Sequence, residues 1–455
     1  MSSPRSTIEK ALALIALTAL TVPSGYAQEI QPAPEIKDSE VYKAASRLDV
    51  LLDCPDRLWP GVQWENFTFT LEDHEAPYAV VWNQHQRTEP GAARVKIVGA
   101  SNVPALAPGI FKVDRDGIVE SRLPGGTWQQ LIEIAIHETF HQVQQTQMGL
   151  TNGSRGYKYP ENWEPRYFRQ QIIQSLRAEL SNDKKRYLVG AMFWKSRLEQ
   201  LYPDDIKRTH RLDIMEGTAQ FVGKLGLALA TIGCGATDQQ LLANAASSLA
   251  ASSDLELQNE SYQLGLLTGI LLEKGKVVGW RERVVRGETP LDILLAGTQA
   301  HKARDDSSLK DKVRQYYESK NSEVQTVIAA YKRDLDSPGF YRLAIPADWM
   351  IGSFLTDGPF ITIDFFGKHL ELVSGMTCKF GKGDTLISFE GEDAVEASVA
   401  LSGGGARNYY ILPIPIEAVK QGSSGYSINT GHIIASQVAL YSFPMPGVGN
   451  ILWAY

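Results

Sequence analysis

The sequence has no basic block. Its 45 Lys and Arg stand against 52 Asp and Glu, and the net charge of −7 is spread along the chain. No stretch is suited to neutralising a phosphate backbone, so nucleic acid is not an expected partner. Long apolar runs are missing too: after residue 27 nothing is apolar enough to cross a bilayer. Cysteine is scarce. Cys54, Cys234 and Cys378 lie far apart and form no CxxC pair, which argues against a thiolate zinc site. Their odd number fits one disulfide with a free thiol, or three buried unpaired cysteines. Internal repeats and long low-complexity segments are absent.

What is present begins with a targeting pattern. Arg5 and Lys10 give a positive start, weakened by Glu9, and residues 11–22 (ALALIALTALTV) are apolar or threonine. That run is short for a membrane-spanning helix. Pro23 and Gly25 break it, and Gly25-Tyr26-Ala27 places small residues where a signal peptidase cuts. An uncleaved membrane anchor is the competing reading. The expectation is a signal peptide over residues 1–27 and a mature chain that starts near Gln28 outside the cytoplasm, in a periplasm or secreted. No cysteine follows closely enough for a lipid anchor.

Residues 28–39 are Pro-rich and polar and read as a flexible leader. Residues 40–52 have helical spacing. From Trp59 to Glu120 the pattern turns to short strands (FTFTL, YAVVW, RVKIV, GIFKV, then GIVESRL) separated by Gly, Pro and Asn. Between Thr127 and Tyr331 the chain reads as mostly helical, with stretches near 165–181, 184–201, 210–231, 260–274 and 307–334. Thr127 with Gln130 fits a capping box, Gly275 a helix end, and Pro290 the start of a short helix. After residue 336 come β-rich runs (GPFITIDFF, HLELV, TLISFEG, AVEASVAL, NYYILPIPI, HIIASQVALYSF), expected to form a separate β-sandwich or small barrel. Ser374-Gly375 and Ser424-Gly425 read as turns, and residues 402–405 (SGGG) as a loop.

The chemistry lies in residues 131–147, LIEIAIHETFHQVQQTQ. His137-Glu138-Thr139-Phe140-His141 is an HExxH motif. Positions four apart lie on one helix face, so two imidazoles can meet one Zn²⁺ at about 2.0–2.1 Å. Glu138 follows the first histidine, where a carboxylate can accept a proton from the attacking water. Only eight histidines occur in the chain, which makes this spacing an unusual coincidence if it carries no metal. A hydrolytic zinc site takes a third protein ligand. Positions three and six after His141 are Gln144 and Gln147, so HExxHxxGxxH is absent. The best candidate is Glu216 in residues 212–221 (LDIMEGTAQF), where Gly217 and Ala219 allow close packing on the motif helix. Glu179 and His210 are its rivals. Tyr262 and His210 are candidates for stabilising a developing oxyanion.

HETFH followed by MEGTAQF resembles the gluzincins, zinc peptidases with an HExxH helix and a glutamate on a second helix; the nearest branch is peptidase-MA-like. The resemblance covers residues 128–298 and implies a zincin-like fold, zinc as cofactor, peptidase activity and Glu216 as third ligand. The residues 262–272 (YQLGLLTGILL) carry small residues fit to pack behind such a site. One departure is visible. The thermolysin-like pattern has an aspartate four residues after the glutamate, and here that position is Gln220; Asp213 is the nearest substitute.

The expected architecture is α+β: a zincin-like, mostly helical catalytic domain over residues 40–336 with an upstream short-stranded sheet, then a β-rich, sandwich-like accessory domain over residues 337–455. The expected activity is zinc-dependent hydrolysis of a peptide or protein substrate, with no membrane association after signal cleavage. The alternative is an exported binding or adhesion protein with a structural or degenerate zinc site.

Overall fold

A computed structural model describes residues 38–454 apart from connecting stretches, the longest being 84–94, 100–109 and 146–156. The expected signal segment, most of the leader and the 402–405 loop lie outside the described residues. No helix among the described residues is long and apolar enough to cross a membrane.

The fold is mixed α+β. Helix α1 (Glu40–Leu52) starts where the Ser39 hydroxyl accepts the Tyr42 N–H. Strands β1 (Thr68–Asp73), β2 (Tyr78–Asn83), β3 (Val95–Gly99), β4 (Ile110–Val113) and β5 (Ile118–Leu123) form one sheet in the order β3-β2-β1-β5-β4. Only the β1–β5 pair is parallel. From β5 the chain passes directly into α2 (Trp128–Phe140), which carries the HExxH histidines. The Thr127–Gln130 capping box is formed, and Glu40 Oε2 accepts the Trp128 N–H at 2.8 Å. That carboxylate satisfies a free donor at the positive end of the α2 dipole.

After β6 (Tyr157–Lys158) come α3 (Trp163–Asn182), α4 (Arg186–Leu201), α5 (Pro203–Ile232), α6 (Asp238–Ser247), α7 (Leu257–Lys274), α8 (Trp280–Val285), α9 (Pro290–Leu295) and α10 (Ser307–Asp336). Helix α5 begins seven residues before the expected 210, because Pro203 opens it and Asp204 and Asp205 favour its first turn. Between Leu212 and Ala230 it is buried nearly all round, as the central helix of the bundle must be. Gly217 and Gly265 let α5 and α7 touch backbone to backbone: a Cβ on Gly217 would lie 2.9 Å from the Gly265 Cα. Small residues thus help α5 to pack, but Gly217 faces α7. It is Gly223 and Gly226, roughly two turns further, that meet Glu133, Ile136 and His137 of α2. Gly265 and Gly269 of α7 pack on Gly217 and Phe221.

Twelve strands form the second sheet: β6, β7 (Phe340–Pro346), β8 (Leu355–Thr356), β9 (Phe360–Phe365), β10 (Lys368–Lys382), β11 (Thr385–Ala400), β12 (Ala406–Pro415), β13 (Val419–Gly422), β14 (Gly425–Asn429), β15 (Ile433–Val438), β16 (Leu440–Met445) and β17 (Gly449–Ala454). Two expectations change here. The runs TLISFEG and AVEASVAL are one continuous strand, β11, and Ser374-Gly375 is not a turn but lies inside β10. Gly375 has φ 65°, and the β10–β11 register shifts between Val373 and Met376, so glycine supplies a bulge that only bends the strand. Alternation sorts this part into two cores. Leu343, Ile345, Tyr410 and Leu412 belong to one, while Ala344, Tyr409 and Ile411 face Ile328, Tyr331 and Leu335 of α10. Helix α10 ends at the expected division, at Asp336, and packs on both parts: its Leu309, Val313 and Tyr317 sit in the core of the helical part. Strand β6 also joins the C-terminal sheet, in parallel with β9.

Of the two cysteine arrangements, the first is found. Cys54 and Cys234 form a disulfide between the end of α1 and the end of α5, and Cys378 is free and buried.

Candidate metal centre

Helix α2 is buried through Leu131, Ile132, Ala135, Ile136 and Phe140, which fixes the histidine face toward α5. His137 Nε2 and His141 Nε2 lie 2.9 Å apart. Glu216 Oε2 lies 3.4 Å from the first and 3.3 Å from the second. Donors at about 2.0–2.1 Å from a tetrahedral zinc stand about 3.3–3.4 Å from one another. The two carboxylate–imidazole separations match that spacing, and the imidazole pair is somewhat closer. Ligating atoms of His137, Glu138 and His141 all lie within 4.8 Å of one another. Glu216 is 2% exposed. Two imidazole lone pairs and a buried carboxylate converging on one point repel unless a cation or proton sits between them, so this donor set fits a divalent metal.

The rivals for the third position are elsewhere. His210 Nε2 donates to the Gly287 carbonyl at 2.9 Å, and Glu179 accepts the Tyr187 backbone N–H at 3.3 Å. That bond also leaves His210 poorly suited to steady an oxyanion. Tyr262 remains: its ring stands edge-on to His137 with centroids 5.6 Å apart.

The partner of His141 was not among the expected residues. Gln145, fully buried, places Oε1 2.6 Å from His141 Nδ1, while its Nε2 donates to the Met215 carbonyl at 2.6 Å and the Thr218 hydroxyl at 3.0 Å. Because the amide nitrogen is engaged by Met215, the oxygen must face the imidazole. His141 therefore carries its proton on Nδ1 and presents a bare Nε2 to the site. A glutamine one turn past the motif is the signal that would have found it. Burial pushes the His141 pKa down, but the hydrogen bond and charge of Glu216, then Glu138 and Gln145, outweigh it and leave it above the usual histidine value.

Neither Gln220 nor Asp213 touches a ligand histidine. Gln220 donates to Glu133 Oε1 at 3.0 Å, beside Lys224 on the other oxygen at 2.6 Å, which ties α5 to α2. Asp213 accepts from Arg169 at 2.9 Å and Ser261 at 2.7 Å. It belongs to a buried charge cluster in which Arg166 and Arg169 both reach Glu260 Oε2, at 2.7 and 2.9 Å, and Arg208 reaches Glu161 at 2.8 Å. The cluster locks α3, α5 and α7 together one turn from Glu216 and beside Tyr262.

No family model matches this chain, nor does any curated protein or solved structure.

Proposed function

We propose that this protein is a zinc-dependent hydrolase, a gluzincin-like peptidase acting on peptide or protein substrates, with His137, His141 and Glu216 as ligands and Glu138 as general base. The observation that carries this reading is the convergence of Glu216 Oε2 on both histidine nitrogens, at 3.4 and 3.3 Å, with Glu138 beside them. On the same reading the helical part is zincin-like and the C-terminal sheet a sandwich-like accessory module. Export through a signal peptide is supported by the Cys54–Cys234 disulfide, since such bonds persist in oxidising compartments.

When bound, zinc would acidify a water and polarise the scissile carbonyl. The chain's own groups do the rest. Gln145 holds the His141 proton on Nδ1, so Nε2 stays available. Glu138 accepts a proton from water and returns it to the leaving amine. Tyr262, whose ring stands edge-on to His137, is the candidate for steadying developing negative charge, a role its ring contact supports. The test is zinc content and peptide turnover of the full chain beside H141A, E216A and E138Q. About one zinc per wild-type chain, lost in the first two variants, with turnover lost in all three, is the expected outcome. No zinc under metal-replete conditions sinks the reading. Zinc without turnover in wild type favours a binding protein.

A further inference from the structure

Arg169, on α3, is buried and every donor it has is used. Its Nε–H donates to Glu260 Oε2 at 2.9 Å. Nη1 donates to the Thr209 hydroxyl at 3.2 Å and to Asp213 Oδ2 at 2.9 Å. Nη2 donates to Asp213 Oδ1 and, at 3.3 Å, to the Ser261 hydroxyl. A guanidinium has five N–H groups, and each of the five finds an acceptor here. Thr209 and Asp213 belong to α5, Glu260 and Ser261 to α7. Ser261 completes the clamp by donating to Asp213 Oδ1 at 2.7 Å.

The place of this clamp along the two helices ties it to the metal centre. Asp213 lies three residues before Glu216, and Ser261 one before Tyr262, so the guanidinium holds the turns that carry both. One turn beyond the clamp the helices touch at Gly217 and Gly265, where a Cβ on Gly217 would stand 3.0 Å from the Ser261 carbonyl oxygen. Bare backbone has no side chains to interlock, so that contact sets how close the helices come and not how far one slides along the other. The next interlock is Phe221 seated on Gly269. Glu216 lies between that seat and the clamp. Arg166 makes a similar bridge, to Glu260 and Asp205, but Asp205 is eleven residues before Glu216.

We infer that Arg169 is a positioning residue for the metal centre: through Asp213 and Ser261 it fixes the register of α5 against α7. That register decides whether Glu216 reaches both imidazoles, at 3.4 and 3.3 Å, while the Tyr262 ring stands against His137. The inference rests on the metal reading above and is independent of the substrate. A lysine at position 169 keeps the charge, but a single nitrogen cannot hold four residues of two helices in one fixed fork.

The experiment loads the full chain with Co²⁺, whose visible absorption reports ligand geometry, and compares wild type with R169K, S261A and R208M. R169K should shift the cobalt band and lower cobalt affinity about tenfold, read by competition with a chelator, although all three ligands are intact. S261A removes one bridging hydroxyl and should move the band in the same direction by less; it carries the test if R169K fails to fold. R208M frees Glu161 and Asp205 of one partner without touching α7. It should lower the urea midpoint and leave the band where it is. An unchanged band in both R169K and S261A overturns the inference. An equal change in R208M also overturns it, because any loosening of the cluster would then reach the metal. Failure of the metal reading looks different: wild type itself takes up no cobalt, and the inference falls with it.

Discussion

The tautomer of His141 rests on Gln145, and the choice of an amide has a reason. One side of that position faces an imidazole N–H and needs an acceptor; the other faces the Met215 carbonyl and needs a donor. A side-chain amide of this length supplies both on separate atoms, one on each side. Q145L should lower metal affinity about 10–100-fold, read by competition with a chelator, because the Nδ1 proton loses its partner. Q145E should also fail, although a carboxylate is the stronger acceptor, because it sets an oxygen against Met215 O in a buried site. Glu260 is the other residue with a readable consequence. Burial, helped by Asp205 and Glu161 and opposed by Arg166 and Arg169, pushes its pKa up to about 7. The count agrees: Glu161, Asp205, Asp213 and Glu260 are four acids against three arginines, so one proton balances the cluster. The folded carboxyl then keeps its proton where the unfolded one has released it. Stability from this group is full below about pH 4.5 and is lost as pH rises toward 7. E260Q, which mimics the protonated acid, should flatten that part of a pH series of denaturant midpoints.

At the scale of elements, the site depends on how closely α2 and α5 approach. A Cβ on Gly223 would stand 2.9 Å from the Glu133 carbonyl and 3.3 Å from His137 Cβ. Backbone on both sides leaves no room to yield, so α2 must move and carry His137 with it. G223A should cost about 1–3 kcal/mol in urea unfolding and weaken metal binding as well. G226A is the comparison: its contacts are Ile136 and Leu51 side-chain tips, which can shift, so it should cost less. These roles mark what could be read beforehand. HExxH, the capping box and Glu216 were legible from period and charge, and in the fold Glu216 does meet both histidines, although Gly217 beside it packs on α7 and not on the motif helix. The alternating runs of both sheets were legible for the same reason, within a residue or two at most ends. Gln145 was harder to see: its one local mark is its place a turn after His141, a lone glutamine has no periodic or charge signature, and its other two partners lie 70 or more residues away. Gly223 was visible only as a small residue; which neighbour it admits depends on helix rotation, which spacing alone does not give.

At the scale of the whole molecule, pairings distant in sequence decide how the parts are joined, and none is encoded locally. The Cys54–Cys234 bond closes a loop with a sequence separation of 180. By the loop-entropy relation its removal should cost about 5 kcal/mol, so C234S should unfold at markedly lower urea than wild type under non-reducing conditions. Helix α10 makes the stronger test of organisation. A cut after residue 336, where the composition changes, would strip Ile328, Tyr331 and Leu335 from the sheet that they cover, and with them the Tyr331 hydroxyl bond to the Ile411 carbonyl at 2.5 Å. Each of those side chains contributes about 1.5–3 kcal/mol of burial, which is a large share of what a domain of that size can hold. A fragment starting at Ser337 should therefore aggregate or bind a hydrophobic dye. One starting at Glu318 retains the covering turns and should stay soluble with a cooperative melt. Both lack β6, so the difference between them isolates the helix. Equal behaviour would mean that the sheet closes its own core and that α10 merely rests on it.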